Sequence, residues 1–439
     1  MNPRRRGACP GILDPMPTGD GLLARLLPTS PVSIDTAVAL CDFAQTHGNG
    51  IVEITQRGSL QFRGLSPASA PNFARSVMAL GLGTQGGPPV LASPLIGLAA
   101  EECVDLRARL AAMRTALANE PAIASIGPKV SVLVDGGGAL HLDGVAGDLR
   151  LRSVAHSRWH LSIAGTTATS THLGWVAADD AADVVVRLLV RIADRGPEAR
   201  ARDFANPADV QALRALLGSM LNDAPPPTPR PPAEPIGVHA LHTGKVALGV
   251  AVAFGYVEAA VLQRLAQHAA ACGALSIQPS PGRSLLIVGL DAAAAIELTA
   301  AAAAAGFLVR PDDPRRFVVA CAGAPVCESA KLATRELAPA VAEAARAFLD
   351  GSLTIHVSGC AKGCAHPSPA ALTLIGPNRL VVQGSAGDTP HGTTSITDFI
   401  AGVSRLGAKR QLQSSQDRSV DIVSTLGVTG VLAAMGAGT

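Results

Sequence analysis

The sequence of 439 residues predicts an α+β chain folded around an internal repeat. Helix, strand, turn, strand and helix follow one another over 33–80, and the same order returns over 259–305. The strand segments SLQFRGL, starting at Ser59, and SLLIVGL, starting at Ser284, align without a gap. Further on, two strand-like segments, 317–320 and 353–357, each run into a pair of cysteines. The expectation is two copies of one α+β unit, each needing the other or a partner domain to cover its sheet.

In the first copy, Ile34, Ala37, Val38, Leu40, Cys41 and Ala44 recur at helical spacing behind Ser33, a good N-cap, and Gly48-Asn49-Gly50 stops the helix. Residues 51–56 read as a strand, Arg57-Gly58 as a turn, 59–64 as a second strand and 69–80 as a helix. Between the copies, 93–195 alternates helix and strand, with a helix at 106–118 and a strand at 129–134 that runs into the turn Asp135-Gly-Gly-Gly138. The proline-rich run 224–235 is a semi-rigid linker by composition; an SH3-type ligand is the other use of such a run. The second copy reads as a helix at 259–271, a strand at 274–278, a turn through Pro281-Gly282, a strand at 284–288 and a helix at 292–305. A helical region at 329–348, broken near Pro339, lies between the cysteine pairs, and the tail beyond Gly402 has a weak helical pattern. These breaks divide the chain into 1–82, 83–223, the linker 224–235, 236–310, 311–402 and a tail, 403–439.

Net charge is +2, spread without runs, which excludes a nucleic-acid stripe, and aromatics are 3% with a single Tyr, too few for base-stacking platforms. The mean hydropathy of +0.31 comes largely from alanine. The most apolar stretch, 292–309, carries Glu297 and Thr299 and reads as a packed helix rather than a membrane span. Met1 to Arg6 is basic, but no apolar leader segment follows. A soluble cytoplasmic protein with neither membrane nor nucleic-acid partner is expected.

The chemistry concentrates in Cys321-Ala-Gly-Ala-Pro-Val-Cys327 and Cys360-Ala-Lys-Gly-Cys364. Two pairs, C-x5-C and C-x3-C, with small spacers that let the backbone wrap closely, suit the four thiolates of a 4Fe-4S cluster. Zinc also takes four cysteines, although structural zinc pairs usually stand at C-x2-4-C. Disulfides would need an oxidising compartment. Cys9, Cys41, Cys103 and Cys272 are scattered and are expected to be buried, reduced thiols.

The run SGCAKGCAHP, with ACAGAPVCESAKLATRELA before it, resembles the nitrite and sulfite reductase family. The similarity covers most of the chain, thinning over about 180–235 and after 402. It implies a pseudo-twofold repeat of ferredoxin-like half-domains alternating with reductase-type 4Fe-4S α/β domains, with cysteines only in the second copy, and it implies that Cys321, Cys327, Cys360 and Cys364 hold the cluster against a tetrapyrrole. In sirohaem enzymes the last cysteine of the C-x3-C pair bridges cluster and haem, the place of Cys364 here. Together with the N-terminal RGACPGILDPMPTGDGLLARL, SGCAKGCAHP resembles more closely a branch in which the tetrapyrrole is substrate rather than cofactor. That branch implies a mononuclear non-haem iron, dioxygen as co-substrate and NADH-linked electrons from a separate reductase, since no G-x-G-x-x-G follows a strand in this chain. For the iron, His366, His239 and His242 are the most suggestive histidines, but no spacing marks out a ligand triad.

The family's T-x-R-x-x-x-Q motif, whose arginine faces the macrocycle, is matched by Thr55-Gln-Arg57-Gly-Ser-Leu-Gln61, which implies roles for Arg57 and Gln61. Arg63 at the next strand end, and Arg283 in the second copy, are further candidates for the tetrapyrrole's carboxylates. Lys129 falls where the reductases carry the first lysine of an L-P-x-K-F-K run. The second lysine is replaced by Ser131, and the position of a further arginine is the uncharged Leu91-Ala-Ser-Pro-Leu-Ile-Gly97. Two of four basic positions are thus neutral, which favours a large carboxylated substrate over reduction of a small anion.

Overall fold

A computed structural model describes residues 10–82, 87–102, 105–155, 157–412 and 418–437. The expected boundary at 82/83, Cys9 and Cys103 fall on or beside residues outside that set.

The two half-domains are built as the repeat predicts, and they share their edges. The first sheet runs Met16–Thr18, Gly21–Leu26, Leu60–Leu65, Ile51–Ile54 and ends on Tyr256–Glu258 from the second copy. The second runs Gly237–Ala240, Val246–Ala251, Ser284–Leu290, Ser276–Ser280 and ends on Val32–Ser33 from the first. Each borrowed strand leads directly into its own copy's helix, Ile34–His47 or Ala259–Ala271. One hydrophobic core joins both copies, from Leu40, Phe62 and Phe73 to Leu265, Ile287 and Leu298. The exchange leaves neither sheet with a bare edge at that side and makes the halves one body. The hairpin turns also meet: Gly282 N–H donates to Gln56 O at 3.1 Å, and Arg57 bridges Pro281.

The remaining sheets repeat one another as well. In the first, Val90–Ala92, Val132–Asp135 and Gly147–Ala155 are parallel, followed by antiparallel Arg158–Gly165, Thr171–Ala177 and Leu221–Asn222. In the second, Val318–Ala320, Ile355–Ser358 and Ala370–Ile375 are parallel, followed by antiparallel Arg379–Gly384 and Gly392–Thr393. The registers Val90↔Val132 and Val318↔Ile355 make Ser93 the counterpart of Cys321. Gly136 N–H donates to Ser93 Oγ at 3.0 Å just as Gly359 N–H donates to Cys321 Sγ at 3.2 Å. The cysteine-free copy keeps the backbone plan and changes the acceptor atom from sulfur to oxygen.

Two expectations are corrected. The helix Thr334–Ala344 passes through Pro339 without breaking, because Ala338, Val341 and Ala342 on its inner face are buried in the core of the cysteine domain, with Phe348, Ile355 and Leu372. The boundary at 402/403 falls inside the helix Ile396–Gln411, and what reads as a weak tail includes Ser419–Ala434; Phe399, Val403, Val423 and Val431 from these helices close over Phe348. The proline-rich run has no helix or strand and is strapped to its own domain: Trp175 Nε1 donates to Pro225 O at 3.0 Å, and Arg230 pairs with both Asp135 and Asp143.

Candidate functional site

Two parallel neighbouring strands deliver both cysteine pairs to one sheet edge, as their sequence positions predict. The loops are then tied together: Lys331 N–H donates to Gly359 O at 2.8 Å, Cys327 N–H to Gly323 O at 2.8 Å and Glu328 N–H to Gly19 O at 3.0 Å. Gly19 belongs to the N-terminal strap that crosses the cysteine loop, and a Cβ there would collide with Cys327 Sγ, so only glycine fits. The Cys364 thiol is pushed up by burial and by the charges of Cys360, Cys321 and Cys327, with Arg63 opposing, so the four sulfurs face one region. Among the described residues, no three of these thiols come within 4.8 Å of one another. One tetrahedral zinc would hold its thiolates about 3.8 Å apart. Four thiols brought to one sheet edge are the type of donor set that a polynuclear iron–sulfur group would use.

Cys364 also lines a cavity of about 930 Å³, near the top of the roughly 300–1,000 Å³ range of small-molecule sites. All four domains contribute: Arg57 and Gln61 from the first half-domain, Lys129 and Ser131 from the first reductase-type domain, Arg283 from the second half-domain turn, Val319 and Cys364 from the cysteine domain. Arg57 Nη2 donates to Ser131 Oγ at 2.8 Å, so the residue that replaces the second lysine orients the arginine. Gln61, with its amide nitrogen toward Glu53 Oε2 at 2.9 Å and its oxygen toward Arg25, braces the wall between them. Arg283 is half-buried, and desolvation lowers its guanidinium to about 10.

Arg63 does not line the cavity. It is buried against Asp20 at 2.5 Å and Glu53 at 3.2 Å, and Arg335 reaches the same Glu53 at 3.6 Å. Its expected contact with the macrocycle is thereby corrected to a brace that fastens the N-terminal strap. His239 Nε2 is spent on Pro235 O and His242 Nδ1 on Leu98 O, and neither lines the cavity. Cys41 is buried, with burial and Asp42 pushing its thiol up to about 12, whereas Cys272 is only half-buried beside His268 and Glu297. That trio and Asp135, His141, Asp143 are the groupings of metal-ligand type among the described residues. Neither lies on the large cavity, and Arg230 occupies both aspartates of the second. Among the described residues, no histidine–carboxylate triad for a mononuclear iron faces the cavity.

Arg25, Glu53, Arg200 and His356 escape sequence reading. Arg25 lies on the strand Gly21–Leu26, which opens on the second of two closely spaced glycines, Gly19 and Gly21, the available signal for a turn and a strand start. Arg200 lines the cavity while forked onto Asp148 at 2.8 and 2.7 Å, a pairing across 52 positions that no local pattern announces.

Fold and site define a member of the nitrite/sulfite reductase class. Residues 15–80 match the nitrite/sulfite reductase ferredoxin-like half domain. The fold is similar to that of the Mycobacterium tuberculosis NirA protein, with a TM-score of 0.76 and 19% identity over 93% of this chain and 84% of that one. Sulfite reductase [ferredoxin] 2 of Mycolicibacterium paratuberculosis is 26% identical over 84% of this chain and 72% of its own length. Precorrin-3B synthase from Sinorhizobium sp. is 37% identical over 98% of this chain and 94% of its own. The chain belongs to that family, the precorrin-3B synthases within the nitrite/sulfite reductase class. No helix of the described residues is long and apolar enough to cross a membrane.

Proposed function

We propose that the protein hydroxylates precorrin-3A at a meso carbon with dioxygen and closes a lactone from a neighbouring acetate, giving precorrin-3B in aerobic cobalamin biosynthesis. The observation that carries this reading is the cavity wall: Arg57 hydrogen-bonded to Ser131, Lys129 beside them, and an apolar face with Leu91, over Cys364. Hydroxylation consumes one dioxygen, two electrons and two protons and releases one water; the electrons come from a separate NADH-linked reductase. Cys321, Cys327, Cys360 and Cys364 would hold a 4Fe-4S cluster, which would supply single electrons. Arg57 and Lys129 bind and orient the substrate's carboxylates, Ser131 fixes the guanidinium, and the Gln61, Glu53 and Arg25 brace keeps the wall rigid. Leu26, Ile54 and Ile126, also on the wall, exclude water from the reacting face. No step is assigned to a mononuclear iron, since the described residues bring no ligand triad to the cavity.

The alternative, a sirohaem-dependent sulfite or nitrite reductase, shares the fold. Six-electron reduction of a small anion needs several cations converging on it, and each missing donor costs about 2.7–4 kcal/mol of transition-state stabilisation. With Ser131 and the neutral Ala92-Ser93-Pro94 stretch at two of these places, reduction would be out of useful range. Isotopic oxygen gas should place one labelled atom in the precorrin product, and sulfite and nitrite should be turned over negligibly with a strong artificial donor. Tightly bound sirohaem with rapid sulfite turnover would overturn the reading. Arg57→Ala should weaken macrocycle binding by about 2–5 kcal/mol with the cluster spectrum intact, and Lys129→Ala should act in the same direction. Equal affinity in both variants would move the site elsewhere.

A further inference from the structure

The helices of the two half-domains correspond residue by residue, and three of the places at which they differ meet on the surface of the second. The strand registers match without a gap, Val52↔Phe62 in one copy and Ile277↔Ile287 in the other. The match runs on into the helices: Leu40, Cys41 and Ala44 are buried as are Leu265, Ala266 and Ala269, and Ala70, Phe73 and Val77 as are Ala295, Leu298 and Ala302. At the same count, Phe43, His47 and Asn72 of the first copy become His268, Cys272 and Glu297 of the second. In the first copy two of these places are a pair of aromatic rings, Phe43 and His47, 6.3 Å apart. In the second all three carry metal-ligand side chains.

Local geometry brings the three together. His268 and Cys272 stand one helical turn apart on one face, at the end of Ala259–Ala271, and Glu297 is the only charged residue of Ala292–Ala304. Their ligand atoms lie within 4.8 Å of one another, and His268 Nε2 is 3.3 Å from Glu297 Oε1. Tetrahedral zinc holds nitrogen and oxygen ligands at about 2.1 Å, which sets them about 3.4 Å apart. The imidazole and carboxylate therefore already stand at coordination spacing. Partial burial and the charge of Glu297 both push the Cys272 thiol up. Among the described residues, Glu297 meets no lysine or arginine that would neutralise it. The helix that carries it is also weakly anchored: only Leu298 and the small Ala295 and Ala302 enter the core, while Ile296 is 73% exposed.

We propose that His268, Cys272 and Glu297 form a three-ligand site for a zinc-type divalent ion, with water at the fourth position, that ties Ala259–Ala271 to Ala292–Ala304. Thiolate, imidazole and carboxylate together select a borderline ion of this kind over magnesium or calcium. On binding, the thiol releases its proton to solvent and no electron moves. None of the three residues lines the large cavity, so the site is separate from the chemistry proposed there. The first helix continues directly from Tyr256–Glu258, the strand lent to the other copy's sheet, so the ion braces the exchanged element.

Anaerobically purified protein is titrated with zinc, and protection of Cys272 against iodoacetamide is read by peptide mass spectrometry, a readout that the loop cysteines do not enter. Protection should be half-complete at roughly micromolar zinc and unaffected by magnesium. His268→Phe, which installs the residue of the first copy, should weaken it at least about 30-fold and Glu297→Gln about 10-fold. The two side chains are 40% and 69% exposed, so both variants should melt like the parent without zinc. Zinc should slow hydrogen exchange over 292–304 in the parent and not in Cys272→Ser. No protection at about 100 µM zinc, or protection equal in parent and variants, overturns the site. Exchange over 292–304 that zinc leaves unchanged overturns the tie between the helices.

Discussion

Cys321→Ala and Cys360→Ala are expected to yield colourless protein stripped of iron and acid-labile sulfide, against about four of each per chain in the brown parent. The effect is all-or-none in kind, because three thiolates hold a cluster poorly. The two positions are the first donors delivered by adjacent parallel strands, and Cys321 Sγ also accepts the Gly359 N–H that closes the second loop. Much of the soluble yield should be lost with the cluster, since the strap, the cysteine loops and the cavity wall meet there. Iron and sulfide analysis of anaerobically purified protein checks this. Stoichiometric zinc without sulfide in the parent would sink the cluster.

Arg63→Leu is expected to be the most damaging change outside the cysteines. The Asp20 side chain is 1% exposed and Arg63 8%, with Glu53 at 18%. Removing the cation leaves the buried Asp20 without its ion-pair partner and Glu53 with only Arg335 and Gln61, a loss of about 3–5 kcal/mol. It should appear as faster hydrogen exchange over the strap 16–20 and faster cluster loss to a chelator; Asp20→Asn added to Arg63→Leu should recover part of it, and unchanged exchange would refute the brace. Burial alone would raise Asp20, but the hydrogen bond and charge of Arg63, with Thr18, outweigh it and hold the carboxyl below its ordinary 3.8. A carboxylate depressed in the folded state contributes stability that is fully present above its ordinary value and lost as pH falls through the folded one. The strap should therefore loosen on strong acidification and be indifferent to pH around neutrality.

Sequence alone determined the elements whose signal is local. Helical spacing behind Ser33, the aligned SLQFRGL and SLLIVGL strands, and cysteines placed just past two apolar strands are patterns within a few residues, and the folded chain keeps them. The motif residues Arg57, Gln61 and Lys129, found by resemblance, and Arg283, found from the repeat, gather on one cavity. Tertiary structure decided the rest. Val32–Ser33 and Tyr256–Glu258 are too short to show any period, yet they complete each other's sheets, because an edge strand is defined by the partner it pairs with. Arg63 reads like Arg57 as a strand-end arginine, but it is consumed by Asp20, 43 positions away. His356 reads as an ordinary residue of an apolar strand, and only packing leaves both its nitrogens without a partner beside Arg283. Periodicity fixes which face a side chain occupies; which charges and donors meet across that face depends on distances between segments far apart in sequence, and those exist only once the chain is folded.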